Sequence, residues 1–195
     1  MYHASIEGVR QERHPDNPAR TFIVYACPVG ELAAQIERYY AVSRELCGPN
    51  AAHDYIPHCS LTGFFHDDLV AIPDYVEALD SALQRARPAR PNPVLGIERV
   101  ELREDFHGLL LGGTWLKALI ADFARTVRAP TRRDALRLKD WLHLSLAYAF
   151  PSEQDSLLAK LAQELVDITA PVGWELRLYE RDAQSAWICH ARWQL

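Results

Sequence analysis

Apolar and polar positions in the first half of the chain predict two strands and two helices. The predicted elements are a buried strand at 21–27, a helix at 30–47, a strand at 56–65 and a helix at 74–87. Gly48-Pro49 ends the first helix. The proline-rich stretch 88–93 stops the second helix, and it is a candidate lobe boundary.

The second half of the chain loosely repeats this order. The predicted elements are a strand at 94–103, its hairpin partner at 106–111, a helix at 114–127 capped by Thr114, a strand at 140–150, a helix at 152–167 and closing strands at 173–180 and 185–194. The alternation predicts an α+β protein. We expect one bilobal, pseudo-twofold domain over 1–195, with two antiparallel sheets facing a central groove and the helices packed outside.

A short pattern occurs once in each half: His58-Cys59-Ser60-Leu61 and His143-Leu144-Ser145-Leu146. Because alternate side chains of a strand share a face, each copy places an imidazole and a hydroxyl on one face and apolar groups on the other. A third copy, His3-Ala4-Ser5-Ile6, lacks a preceding apolar run, and we interpret it as a coincidence. The two internal copies therefore predict two halves of one site.

Two histidines and two hydroxyls in one groove suit phosphoester chemistry. Because histidine titrates near neutral pH, one neutral imidazole can take a proton from water while a protonated one gives a proton to a leaving oxygen. Hydroxyl groups can donate hydrogen bonds to anionic phosphoryl oxygens. We predict His58 and His143 as catalytic residues and Ser60 and Ser145 as phosphate-binding residues, with no cofactor and no metal.

The paired motifs resemble those of the 2H (two-histidine) phosphoesterase superfamily. Pro57-His58-Cys59-Ser60-Leu61 and His143-Leu144-Ser145-Leu146-Ala147-Tyr148 are most similar to its cyclic phosphodiesterases and RNA-ligase-like proteins. The resemblance implies a bilobal fold and metal-independent hydrolysis of a 2′,3′-cyclic phosphate, or of ADP-ribose 1″,2″-cyclic phosphate, to a monoester. It also implies acid and base roles for the histidines, which we assign to His58 and His143 respectively.

Two other functions remain open at this stage. One is an RNA 2′,3′-cyclic phosphodiesterase or a 2′–5′ RNA ligase-like enzyme that processes RNA ends. The other is a non-catalytic module that binds a phosphate or an RNA end.

Three aromatic residues are predicted to contact substrate. Phe64 shares the His58 face by alternation and suits either stacking on a base or closing the core. Tyr148 falls on the leucine face of its strand, so it reaches the groove only where the strand ends or bulges. Trp187 is a candidate for base stacking, with sheet core as the alternative. Trp141 shares the His143 face and is expected to pack beneath that histidine or to flank the groove.

The segment 125–139 carries six basic residues and one acidic residue, and it leads into the second motif. It suits a mobile lid that attracts phosphates, or an ordinary solvated loop. An alternative zinc site would draw on His53, Asp54, His66 and Asp67, whose spacing matches no ligand pattern. The four cysteines include no C-x-x-C pair, so we expect reduced, mostly buried thiols.

The formal net charge of −5 argues against a general nucleic-acid binder, although it is compatible with an enzyme that acts on one nucleotide. No run approaches the ~18 apolar residues of a membrane span. The first residues lack the basic and apolar regions of a signal peptide. We expect a monomeric cytoplasmic protein, away from membranes, that acts on a small cyclic nucleotide or an RNA 3′ end.

Overall fold

The computed structural model describes residues 20–182 and 184–195. The strands are β1 Arg20–Val29, β2 Cys59–Ser60, β3 Phe65–Asp67, β4 Gly96–Arg103, β5 Phe106–Gly112, β6 His143–Tyr148, β7 Gly173–Arg181 and β8 Trp187–Gln194. The helices are α1 Glu31–Cys47, α2 Ile72–Ala86, α3 Thr114–Thr126 and α4 Asp155–Leu165. The third motif copy at His3 and the residue Ala183, in the turn before β8, lie outside the described residues.

The strands form one antiparallel sheet in the order β4-β5-β6-β2-β1-β7-β8, with β3 also pairing with β1. The predicted α+β class is confirmed, but the prediction of two separate sheets is wrong. The short strand β2 joins the two halves, because Ser60 pairs with Tyr25 of β1 while Cys59 pairs with Leu144 of β6. The two motif strands are therefore neighbours at the centre of a continuous sheet.

All four helices pack against one face of this sheet. Phe22, Val24 and Ala26 of β1 are buried in a core to which every helix contributes, including Leu32 of α1 and Phe123 of α3. The alternate residues of β1 belong to a separate small apolar cluster on the opposite face, formed by Ile23, Tyr25, Cys27 and Tyr179. The helices therefore do not enclose the sheet from both sides, and the second face is left for the site.

The predicted strand at 56–65 is wrong in extent. Tyr25 pairs with Ser60 and Phe22 pairs with Phe65, so two extra residues are accommodated on the motif side. Thr62 compensates, since its Oγ1 accepts a hydrogen bond from the Val24 backbone N–H at 3.1 Å. The strand is consequently interrupted where the chain passes the site.

The other elements agree with the sequence within a few residues. Thr114 is the first residue of α3 rather than its cap; Gly113 occupies the cap position and provides no side-chain hydrogen bond. Cys27, Cys47 and Cys59 are buried free thiols, as expected, and Cys189 is an exposed one. Among the described helices, none combines the length and the hydropathy needed to cross a membrane.

Candidate active site

The register of β2 and β6 brings the two motifs together. Extending the Cys59–Leu144 pair by one residue in each direction places Ser60 opposite His143 and His58 opposite Ser145. The two histidines are then diagonal neighbours, whose Cα atoms are roughly 7 to 8 Å apart in antiparallel pairs. The alternation predicted from the sequence is observed, since Cys59, Leu61, Leu144 and Leu146 are buried in the core while the histidines and serines are half-buried.

Both imidazoles are oriented by the same backbone interaction. His58 Nδ1 lies 2.8 Å from the carbonyl oxygen of Ile56, and His143 Nδ1 lies 3.2 Å from that of Trp141. A carbonyl oxygen only accepts hydrogen bonds, so each Nδ1 carries the proton and donates it. In each neutral ring, Nε2 is therefore the nitrogen that remains available for proton transfer.

Both histidines have lowered pKa values. Burial lowers the pKa of His58 to about 4, against the opposing effect of the Ile56 carbonyl, and the charge of His143 adds to the lowering. Burial also lowers the pKa of His143, against the effect of the Trp141 carbonyl, and Lys139 contributes through its positive charge. Both rings are therefore neutral in the free protein at pH 7.

The four motif side chains line one cavity of about 350 Å³. Its other lining residues are Ile23, Tyr25, Tyr40, Ala52, Tyr55, Thr62, Gly63, Phe64, Asp105, Phe106, Lys139 and Tyr148. The cavity thus contains four residues that can exchange a proton or donate a hydrogen bond to an anion, within a largely aromatic wall. Phe64 and Tyr148, two of the predicted substrate contacts, are part of this lining.

Tyr148 reaches the cavity through a β-bulge. Gly108 of β5 pairs with Ser145 and His107 pairs with Ala147, so Leu146 has no partner and the alternation of β6 reverses after it. Gly108 permits this approach, because a Cβ there would lie 2.6 Å from the carbonyl oxygen of Leu144. The bulge that the sequence required for Tyr148 is therefore present.

The two tryptophans occupy different layers. Trp187, predicted as a substrate contact, is not among the lining residues; its ring packs against Tyr25, Tyr55 and Phe64 at centroid distances of 5.9, 5.6 and 6.1 Å. It supports the wall from behind because it pairs with Arg181 at the outer strand β8. Trp141 packs on His143 at 4.0 Å, as expected, while 45% of its surface stays exposed.

Sequence reasoning missed three tyrosines and the position of one lysine. Tyr25 lies 3.9 Å from the His58 ring, and the Tyr40 hydroxyl donates a 2.7 Å hydrogen bond to the Ser145 carbonyl oxygen. Tyr55 lies 5.5 Å from the His58 ring. The parity of Tyr25 with Ile23 was readable as one strand face, but the partner of that face depends on register.

The basic segment is exposed, as in a solvated loop, and it is bonded to the first motif region. The Gly63 N–H donates to the Arg137 carbonyl at 2.6 Å, and the Lys139 N–H donates to the Leu61 carbonyl at 3.0 Å. Further along, the Arg133 N–H donates to the His66 carbonyl at 2.9 Å. These bonds bring Lys139 to the cavity, which composition alone did not indicate.

The alternative zinc ligands have other partners. His53 is buried with its Nε2 2.9 Å from Ser43 Oγ, His66 Nδ1 lies 2.6 Å from Asp134, and Asp67 accepts a 2.5 Å hydrogen bond from Tyr75. Across residues 20–182 and 184–195, no three His, Cys, Asp or Glu side chains are gathered as a metal site.

Fold and cavity together define an α+β protein with a paired-histidine site on the helix-free face of its sheet. No family model matches the chain. It is 31% identical, over 86% of its length, to Ecdysteroid-phosphate phosphatase of Drosophila melanogaster, and 30% identical over 88% to the protein of that name in Bombyx mori. It is 29% identical, over 88% of its length, to Ubiquitin-associated and SH3 domain-containing protein B of Homo sapiens.

The chain spans only about a quarter of these relatives: the matches cover 27% of the Drosophila protein and 26% of each of the other two. The names of the relatives therefore describe much longer proteins than the segment that this chain resembles.

Proposed function

We propose that this protein is a metal-independent cyclic phosphodiesterase. It hydrolyses a 2′,3′-cyclic phosphate, or ADP-ribose 1″,2″-cyclic phosphate, to a phosphomonoester. The observation that carries the proposal is the matched pair of histidines, each held by a backbone carbonyl at Nδ1 and each beside a serine in one cavity. Two such imidazoles supply the two proton transfers that opening a cyclic diester requires.

In the proposed reaction, water attacks phosphorus in line with the bond that breaks. One Nε2 takes a proton from the water as the new P–O bond forms. The Nε2 of the other, protonated histidine gives its proton to the leaving sugar oxygen as that P–O bond breaks. Ser60 and Ser145 donate hydrogen bonds to the two non-bridging oxygens, where negative charge is held.

The pKa directions favour the reverse of the roles assigned from the sequence. The larger lowering of pKa falls on His58, which makes it the imidazole that stays neutral over the wider pH range. We therefore propose His58 as the base that activates water and His143 as the acid. The charge of Lys139 works against protonation of His143, and a bound phosphate anion offsets it.

The relatives support phosphoester chemistry in general. Two of them are named phosphatases, and the chain aligns with about a quarter of each. Those names refer to a phosphate ester of a steroid and mention no cyclic phosphate. A phosphomonoesterase activity is consequently the competing function that the first experiment must include.

The test is incubation with 2′,3′-cyclic nucleotides, ADP-ribose 1″,2″-cyclic phosphate and a steroid phosphate monoester, with products identified by phosphorus NMR. We expect monoester products from a cyclic substrate, in the presence of EDTA, and their loss in His58→Ala and His143→Ala. His66→Ala is the matched control, since His66 is exposed and lies outside the cavity lining. Turnover of the monoester alone contradicts the proposal, and tight binding of a cyclic nucleotide without turnover identifies a binding module instead.

A further inference from the structure

One cation reaches the cavity from outside the two motifs. Lys139 is the one lysine or arginine among the lining residues that the structure describes. No carboxylate in the described part of the chain forms an ion pair with its ammonium group. An unpaired cation at the rim of a cavity attracts an anionic group, here in a chain whose formal net charge is −5.

The backbone fixes Lys139 at one end of the cavity. Residues 137–139 pair with 61–63, through a Thr62–Leu138 bridge and the two hydrogen bonds on either side of it. Because Leu61 follows Ser60, this pairing places Lys139 beyond the Ser60 side of the histidine pair. Tyr40, bonded to the Ser145 carbonyl, marks the opposite end.

A second cation lies at the same rim. The guanidinium of Arg137 covers Gly63 so closely that an added Cβ would lie 3.3 Å from its Nε and 3.4 Å from its Nη2. Gly63 is itself a lining residue. The one carboxylate among the described lining residues is Asp105, which comes from the turn between β4 and β5.

We infer that Lys139 binds a second anionic group of the substrate, a phosphate on the 5′ oxygen of the ribose that carries the cyclic phosphate. The inference rests on the proposed function, because it takes the histidine pair as the position of the cyclic phosphate. Three sources share this chemistry: the 5′-phosphate of a mononucleotide, the upstream phosphodiester of an RNA 3′ end and the diphosphate of ADP-ribose. A lysine ammonium is a compact point charge that accepts all three.

The kinetic test compares 2′,3′-cyclic AMP with three substrates that add a 5′ anion. These are its 5′-phosphorylated form, a dinucleotide ending in a 2′,3′-cyclic phosphate and ADP-ribose 1″,2″-cyclic phosphate. We expect KM to be lower by roughly 3- to 10-fold for at least one of them, the range of a partly exposed charge-assisted contact. The substrate with the largest advantage identifies the source of the anion.

Variants separate this contact from general attraction. We expect Lys139→Gln to bring the KM ratio close to one and Lys139→Arg to retain part of it. Lys160→Gln is the matched control, because Lys160 is an exposed lysine of α4 outside the cavity lining, and it should keep the full ratio. A full ratio in Lys139→Gln, with a far-UV spectrum like that of the wild type, overturns the inference.

A binding measurement distinguishes failure of this inference from failure of the proposed function. Calorimetry with adenosine 2′-monophosphate and adenosine 2′,5′-bisphosphate requires no turnover. We expect the bisphosphate to have the lower Kd in the wild type, and the advantage to disappear in Lys139→Gln. If no cyclic phosphate is hydrolysed, the proposed function is wrong while this comparison still decides the role of Lys139. Equal Kd values in the wild type overturn the inference even if hydrolysis is observed.

Discussion

The two halves of the site hold their histidines by the same interaction in different surroundings. Each Nδ1 donates to the carbonyl two residues earlier, and each ring packs against an aromatic side chain at about the same distance, 3.9 Å for His58 and 4.0 Å for His143. The aromatic partner of His58 is Tyr25, which is 2% exposed, whereas that of His143 is Trp141, which is 45% exposed.

This difference shows how a nearly symmetric pair of residues acquires unequal chemistry. The orientation of each ring depends on the local motif, which the two halves share. The proton affinity depends on the wall behind the ring, which they do not share. Burial lowers the pKa of His58 to about 4, and this is the physical basis for assigning the two rings different roles.

Removing either histidine is expected to have the largest effect. In His58→Ala and His143→Ala, kcat for a 2′,3′-cyclic nucleotide should fall by roughly 10²- to 10⁴-fold. The residual rates distinguish the halves. With His58 as the base, the residual rate of His143→Ala rises with pH through about 4, as His58 loses its proton. The residual rate of His58→Ala falls as His143 loses its proton. Opposite slopes would exchange the two roles.

A methyl group at Gly108 tests how far the His143 half depends on its bulge. In Gly108→Ala, the Cβ meets the Leu144 carbonyl oxygen at 2.6 Å and the Phe106 ring at 2.5 Å, so β5 and β6 must shift. We expect a loss of about 1 to 3 kcal/mol in the free energy of unfolding, measured by urea titration, with a raised KM from displaced Tyr148. Gly96→Ala, whose nearest contact is at 3.9 Å, is the control, and an equal loss there would remove the bulge from the explanation.

The pH dependence of the wild type measures both halves together. For a cyclic phosphodiester, kcat/KM should rise through about pH 4 as His58 becomes neutral. It should fall again above the lowered pKa of His143, which lies below 6.5. The maximum is therefore expected at mildly acidic pH. A flat profile from pH 4 to 8 would contradict the assignment of two titrating imidazoles.

The smallest effect is expected from exchanging the aromatic walls. Tyr25→Leu opens the space beside His58 to water, so the pKa of His58 rises from about 4 towards 6.5 and the acidic limb moves upward. Trp141→Leu removes a side chain that is already half exposed, so the alkaline limb should move less. Equal movement of the two limbs in these variants would show that burial is not what distinguishes the halves.

Local features of the fold could be predicted from the sequence, and features that depend on pairing could not. The burial of Leu144 and Leu146 and the shared face of His143 and Ser145 follow from alternation within one strand, and they are observed. The strand predicted at 56–65 fails because two extra residues separate Ser60 from Phe65 relative to β1. That excess exists only in the paired sheet.

The same distinction applies to the site. The four motif residues come together as predicted, because each motif carries its own pattern. Tyr148 was conditional on a bulge, and the residue that permits it, Gly108, lies on a different strand. Tyr25 and Lys139 were missed because their positions depend on the partners of β2, which are distant along the chain.

The placement of every helix on one face of the sheet has an evolutionary consequence. The residues that bury the core and those that line the cavity are alternate positions of the same strands, and their side chains point in opposite directions. Substitutions on the two faces share few contacts, so their effects on stability and on substrate choice should be close to additive. A chain built in this way can acquire new substrates by exchanging rim residues such as Phe64 or Lys139 without repacking its interior.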